Sequence, residues 1–452
     1  MPAPSNDRMG QPQIYSYPRA LPRSATYRVA FDGVVALPLT TSAGEFLQCV
    51  VDAPVQVVVR AHRAFNAAVV RPLARGIAVA ISEGAAHFLL PGPGHYFVEI
   101  DGLPALYLFA EHPEQDAPRG PGPGLRYFAS GQVHEVGELA LGADERIYIA
   151  GGAVVRGAIR GVHADGARIS GRGILDNSYF RPGNPDGTKR SIMLEFSERV
   201  RIEGIVIIEP GTWTVECAAC RAVEISELKI LGLLQASDGI DIVGCEQVLI
   251  RDCFIRAGDD CVALKACDYS PWGRNPDFCR DVRDVIVERC VLHSFLGGSA
   301  LEIGHELRCS EVRGVVFRDI DILAVHDFGA ALAIHNADHA LVADILYEDI
   351  RVEHHWIAAI DLRVVKTRYS ATAERGRIRN VVLRRVTIME SIYNAGYTIS
   401  HIGGWDAEHL AQEIRFEDCT YGGRLITSLD DFECYARHAG QVSFAATRPH
   451  AS

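Results

Sequence analysis

From residue 25 to about 115, apolar and polar positions alternate in short runs, TYRVAF, QVVVRA, GIAVAIS, HYFVEID and ALYLFA, with turn formers between them. Period-two alternation marks half-buried strands. Residues 25–115 therefore predict a small β-sandwich, preceded by a tail at 1–24. The stretch DAPRGPGPG is too rich in Pro and Gly to join a sheet, so 116–125 reads as a linker.

Beyond the linker, over 126–452, the chain repeats itself. An apolar alternating strand, a turn and a second apolar strand recur in RVRIEGIVIIE, AVEISELKILG, QVLIRDCFIRAG, DVIVERCVLHS, GVVFRDIDILAV, DILYEDIRVEH, NVVLRRVTIME and EIRFEDCTYGG. Most copies carry an acidic residue or Arg at the centre, and uninterrupted copies follow one another every 21 to 25 residues. Leucine-rich repeats share such a period, but their LxxLxL signature is absent, and no helical periodicity lies between the strands. Stacking each repeat as one coil, with neighbouring coils about 4.8 Å apart, satisfies the pattern. The expected class is all-β, a right-handed parallel β-helix of about 10 coils behind the sandwich.

A shorter strand precedes each long repeat: IMLEF, TVEC, GIDI, CVAL, ALEI, ALAI and AIDL. Aligned with Leu194, Val215, Ile240, Val262, Leu301, Leu332 and Ile360 inward, alternation turns Glu195, Glu216, Asp241, Ala263, Glu302, Ala333 and Asp361 outward. Any one of these acids reads as solvated surface. A column of five calls for a ligand, cation or partner, because stacked like charges repel.

Two to three residues upstream, Asp238 and Asp260 open successive strands 22 residues apart, with Asp259 beside Asp260 in GDDC. The register sets them at one level on adjacent coils, so three carboxylates converge. Repulsion then holds a proton on one and leaves another ionised, the division that glycosidic cleavage needs. The plainer reading is that Asp238 and Asp260 cap turns. Trp213 shares their level one coil earlier, where its indole stacks on a sugar ring or fills the core. Lys265 faces outward beyond the aspartate coil, to bind a hydroxyl or tune Asp260. Glu216, Asp241, Glu302, His305, His335 and Arg363 complete the candidate binding groups. The insertion DYSPWGRNPDF (268–278), with Trp272 and Arg274, interrupts the coil beside the site and reads as a wall or lid that favours exo action on short glycans.

A formal net charge of −12 argues against nucleic acid and anionic membranes as partners, and a carbohydrate fits better. The start of the chain lacks the basic region and apolar run of a leader, so a cytoplasmic protein is expected. Of the twelve cysteines, Cys253 and Cys290 recur at one place in successive repeats, as stacked core thiols do. Cys217 and Cys220 form a CxxC without a second pair at zinc spacing. Cys267 and Cys279 flank the insertion and would pair if the protein were exported. No metal or cofactor is called for.

The stretch SDGIDIVGCEQVLIRDCFIRAGDDCVALK resembles the active-site segment of the polygalacturonase-like glycoside hydrolases of family 28. That family carries Asn-Thr-Asp and, one coil later, Gly-Asp-Asp; this chain has Ala236-Ser237-Asp238 and Gly258-Asp259-Asp260. The resemblance implies inverting hydrolysis with Asp259 as general acid and Asp238 and Asp260 activating water. The N-terminal sandwich leading into RIYIAGGAVVRGAI also resembles the dextranase and isopullulanase family 49. Two family features are replaced. The Gly-His-Gly position reads FLGGSALEIGHE, with His305 at the strand end, and the Arg-Ile-Lys coil reads ALAIHN, with His335 outward and Arg363 and Lys366 one coil later. Without that cation pair, a neutral or differently substituted glycan is expected. A β-helix lyase, a fructotransferase-like transglycosylase and a non-catalytic carbohydrate-binding β-helix are the competing classes.

Overall fold

The computed structural model describes residues 11–267, 276–391 and 396–446. Trp272 and Arg274 of the insertion lie outside the described residues.

Two antiparallel-rich sheets form first. One orders Gln13–Ile14, Gly44–Val50, Leu106–Glu111, Gly94–Ile100 and Ala68–Arg71, and the other Val34–Ala36, Tyr27–Phe31, Val55–Ala61, Ala85–Leu90 and Ala80–Ser82. Their inward residues, among them Val29, Phe31, Val57, Val59, Phe88, Val98 and Leu108, share one core. The segment before residue 25 is more than a tail. Gln13–Ile14 pairs with Gly44–Val50, and Tyr17 and Leu21 are buried, because Pro-interrupted apolar residues need no alternation to pack against a neighbouring surface. We propose 116–125 as the boundary, since it separates the last sandwich strand, Leu106–Glu111, from the first rung, Leu125–Phe128.

The second unit is one sheet of 31 strands wound into a parallel β-helix, three strands to most coils. Among the described residues, eleven successive parallel pairings link twelve strands on one face, from Leu125–Phe128 to Val442–Ala445, against the ten or so coils expected. The two additional rungs lie at the ends, where the repeat is too degenerate to recognise. Inside, Val, Ile, Leu and Cys stack in columns, for example Ile225 under Ile250 under Val287.

The centre of each repeat has a backbone reason for its residue. Glu227, Asp252, Arg289, Asp319, Asp349, Arg385 and Asp418 all bend the chain at the centre of a repeat in the left-handed region, with φ between 52° and 56°, Asp319 and Asp349 inside continuous strands and the others between two strands. The short polar side chain of aspartate, at four of the seven, tolerates that conformation best, and a β-branched one does not.

The expected column needs one correction. Met193, not Glu195, lies beside Glu216, while Glu195 pairs with Ala218. A two-residue slip preserves the inward and outward faces, so alternation alone does not detect it. From Glu216 onward the column is as read: Glu216, Asp241, Ala263, Glu302, Ala333 and Asp361 stand in register.

The sandwich lies along the third face of the helix. Phe46, Phe97, Tyr107 and Phe109 pack on Val154, Ile174, Val206, Leu231, Phe254, Val291 and Leu323. Within this contact Lys229 is fully buried and ion-paired with Glu111 of the sandwich.

Candidate active site

Three successive strands set the floor of the site. Val215–Ala218, Ile240–Val243 and Val262–Lys265 pair in parallel, and the ladder continues upstream, where Thr214 N–H donates to the Asp238 carbonyl and Gly239 N–H to the Asp260 carbonyl, each at 2.8 Å. Trp213, Asp238 and Asp260 therefore sit at one level on consecutive coils.

Asp259 and Asp260 occupy the turn after Phe254–Ala257. The next coil presses directly on that turn, since a Cβ on Gly298 would lie 2.0 Å from the Asp259 carbonyl carbon. Only glycine permits the approach. Ser299 N–H donates to Asp260 Oδ1 at 2.6 Å, and the Ser294 hydroxyl reaches the Asp259 carbonyl at 2.9 Å.

All three aspartates line a cleft of about 820 Å³, together with Trp213, Lys265, Glu302, His305, His335 and Arg363. Burial raises the Asp259 carboxyl to about 8, with the charge of Asp238 adding to it. Burial also pushes Asp260 well up, reinforced by Asp259. Two carboxyls that disfavour each other's ionisation share a proton as a unit.

Asp238 has a different environment. Lys265 Nζ donates to its Oδ2 at 2.9 Å and to Asp241 Oδ1 at 2.8 Å, and stands 3.8 Å from the centre of the Trp213 ring. Burial alone would lower the Lys265 ammonium, but Asp238 and Asp241 outweigh it and hold it well above its ordinary value. Lys265 is therefore tied to Asp238 instead of Asp260. Trp213 carries Lys265 on its ring and has Arg190 at 4.9 Å, so the indole clamps cations. Glu216 and Asp241 lie below the cleft wall, fully buried, with Glu216 paired to Arg190. Their outward direction leads under the cleft floor and not to solvent.

A second charge cluster lies farther along the acidic column, between Glu302 and Asp361. His335 has Nδ1 3.0 Å from Glu302 and Nε2 3.1 Å from Asp361. Burial would lower its imidazolium, yet the two carboxylates raise it to about 10. Burial works upward on Asp361, but His335 and Arg363 bring it down to about 2. Arg363 gives two N–H groups to Asp361, Nη2 at 2.6 Å. His305 stacks on His335 with ring centroids 4.7 Å apart, and burial followed by the charge of His335 lowers it to about 4. Donor atoms of Glu302, His305 and His335 lie within 4.8 Å of one another, a spacing that suits a metal ion. Both ring nitrogens of His335 already face carboxylates, however, so a cation would have to displace a proton from it.

Sequence reasoning named Lys366 but missed the rest of the outer wall, Leu296, Phe328 and Thr367 to Tyr369. These residues lie in turns and carry no periodic signal.

Cys267 and Cys279 form a disulfide with Cα atoms 4.6 Å apart. Such bonds persist in oxidising compartments. Cys253 and Cys290 stack in contact, as their recurrence suggests. In the CxxC, Cys217 points into the core and Cys220 meets Cys245 and backbone carbonyls. Among the described residues, no helix is long and apolar enough to cross a membrane.

"Probable polygalacturonase" of Vitis vinifera is 30% identical over 108 residues, 23% of this chain and 22% of that protein, so the match spans about a fifth of the relative's length. Among solved structures, Dex49A from Penicillium minioluteum superposes with a TM-score of 0.60 at 13% identity, over 96% of each chain. An exopolygalacturonase from Thermotoga maritima superposes with a TM-score of 0.53 at 16% identity, over 71% of this chain and 83% of that one. At these identities the likeness is one of fold. The sequence profile of Glycosyl hydrolases family 28 matches residues 137–391, which is 255 of 452 residues, and the chain belongs to that family.

Proposed function

We propose that the protein is a glycoside hydrolase that cleaves O-glycosidic bonds of an oligo- or polysaccharide with inversion. The observation that carries this reading is the unequal treatment of three aspartates at one level: Asp259 is raised to about 8 while Asp238 is tied to an ammonium. Asp259 gives its proton to the glycosidic oxygen as the bond to the anomeric carbon breaks. Asp238 and Asp260 activate the water that attacks that carbon from the opposite face, Asp238 taking its proton and Asp260 holding it in place. Lys265 Nζ donates to Asp238 and fixes its position, and Ser299 N–H orients Asp260.

Of the cations that line the cleft, Arg190, Lys265, His335 and Arg363 are each paired with a carboxylate, which supports a neutral or differently substituted glycan over a uronate, and Lys366 and Arg368 stand at its outer wall. A lyase needs a basic abstracting residue, and Lys265 is engaged by two carboxylates. We assign exo action on short glycans, with the outer wall at Phe328 and Lys366 to Tyr369 bounding the cleft.

The test is a screen of neutral and acidic oligosaccharides that follows reducing ends and ultraviolet absorbance. New reducing ends without unsaturated product are expected, and anomeric NMR of early product should show inversion. Asp259→Asn should lower kcat by about 10²- to 10⁴-fold with folding intact. Activity near that of the wild type in this variant would remove Asp259 from the acid role, and unsaturated product would replace hydrolysis by elimination.

A further inference from the structure

On the face turned to the sandwich, Ile208, Leu231, Arg256, His293 and Ala324 form one column, rung beside rung. Two of the five are basic. Arg256 is 4% exposed and His293 is 7% exposed, so neither reaches water freely. The Phe97 ring of the sandwich lies 5.7 Å from that of His293, and the Phe295 ring lies 4.4 Å from the Arg256 guanidinium.

A buried cation is ordinarily met by a carboxylate, because an uncompensated charge away from water is costly. Lys229 has Glu111, Lys265 has Asp238 and Asp241, and Arg172 has Glu227. Arg256 differs. Its Nη1 donates to the Gly232 carbonyl, its Nε has no hydrogen-bond partner, and among the described residues no carboxylate is within ion-pair reach. The Tyr107 hydroxyl is the other polar neighbour, and it brings no negative charge at neutral pH, since burial raises it. His293 Nδ1 is also without a hydrogen-bond partner. Burial, and after it Arg256, His326, Arg71 and His354, push the His293 imidazolium well below its ordinary value. All four of those neighbours are basic, and Arg71 is already taken by Glu99 and Glu353. A neutral imidazole can carry its proton on Nδ1 and donate there.

We infer that Arg256 and His293 hold a halide ion, chloride in practice, between the Nε–H of the one and the Nδ1–H of the other. Water in that place would leave the guanidinium uncompensated. Two orphan donors are too few for phosphate or sulfate, whose other oxygens would be buried without partners, whereas one spherical ion is satisfied by a charge and two N–H groups. The strand of Arg256, Phe254–Ala257, runs directly into Gly258 and Asp259, and Ser294, next after His293, gives its hydroxyl to the Asp259 carbonyl at 2.9 Å. The ion therefore ties together the two strands that hold the turn of Asp259.

The test uses the full chain at neutral pH. Crystals soaked in sodium bromide should show anomalous density within about 3.5 Å of Arg256 Nε and His293 Nδ1. In solution, replacing sodium methanesulfonate by sodium chloride at about 0.2 M should raise the thermal unfolding midpoint of the wild type by about 2 °C or more. That gain should vanish in Arg256→Met, which keeps the stem and removes the charge, and shrink in His293→Phe, which keeps a ring against Phe97. Where Arg256→Met does not fold, His293→Phe decides alone. Density for water only, or equal midpoints in the two salts, overturns the site. A bromide peak without a chloride gain in solution is binding at crystal concentration only and overturns it too. A gain that survives in the variants places the ion elsewhere, and a larger gain from phosphate than from chloride overturns the halide.

Discussion

At the residue scale, the charge on each group in the cleft is set by the partner it meets, and this fixes its pH dependence. In the proposed role of general acid Asp259 must hold its proton, so kcat/KM should fall about tenfold per unit as pH rises beyond about 8. His335 acts on stability. Its folded value, about 10, lies above its ordinary one, about 6.5. The stability it contributes is complete below the ordinary value and is lost as pH rises through about 10. Asp361, at about 2, has the opposite sign: its contribution is complete above about 3.9 and is lost as pH falls through about 2. Thermal unfolding midpoints of His335→Gln should therefore decline less steeply between pH 7 and 10 than those of the wild type. Parallel curves would show that the clamp between Glu302 and Asp361 does not hold the proton. The level shared by Asp238 and Asp260 was legible in their spacing, because one coil separates them. The attachment of Lys265 to Asp238 was not. Alternation gives the face of a residue but not the direction in which a four-carbon stem leans along the strip.

At the scale of the element, the corner between two strands explains both the repeat and its readability. The acidic or Arg residue at its centre was visible as a pattern, while the left-handed φ beneath it was not, since Asp, Glu and Arg also occupy ordinary turns. Asp319, with φ 52°, tests the cause. Asp319→Gly removes only the ion pair to Arg351, an exposed bond worth little. Asp319→Val also forces a β-branched side chain into the left-handed region and should cost about 1–2 kcal/mol more in denaturant unfolding. Equal losses in the two variants would show that the corner is held by charge and not by backbone conformation. The same corners limit reading. GVVFRDIDILAV is one continuous strand, Glu311–Val325, because the chain bends at Asp319 without losing its pairing.

At the scale of the whole molecule, the sandwich and the helix were each legible from alternation and period, but their contact was not, because it joins residues distant in sequence, such as Phe109 with Phe254 and Glu111 with Lys229. Lys229 stands in the column Val206, Lys229, Phe254, where apolar residues face the sandwich. Burial lowers its ammonium and Glu111 works against that. Lys229→Ala would leave the buried Glu111 with only the more distant Arg172, at 4.0 Å, as ion partner and should cost about 3 kcal/mol, read as a loss of unfolding free energy. A loss below about 1 kcal/mol would mean that water reaches this contact.

The length of the contact on the third face has a mechanical consequence. A stack of coils touching only their neighbours unravels a rung at a time, like a spring released from one end. Here the sandwich lies as a splint along seven consecutive rungs, from Val154 to Leu323, and ties their openings into one event. Amide hydrogen exchange should therefore show common protection across those rungs and graded protection in Arg377–Arg384 and Ala411–Glu417, which lie past the last tie of the sandwich, the ion pair of Arg71 with Glu353. The turns of Asp238 and Asp259 fall within the splinted length. The catalytic level would then stay assembled while coils farther along the axis open and close.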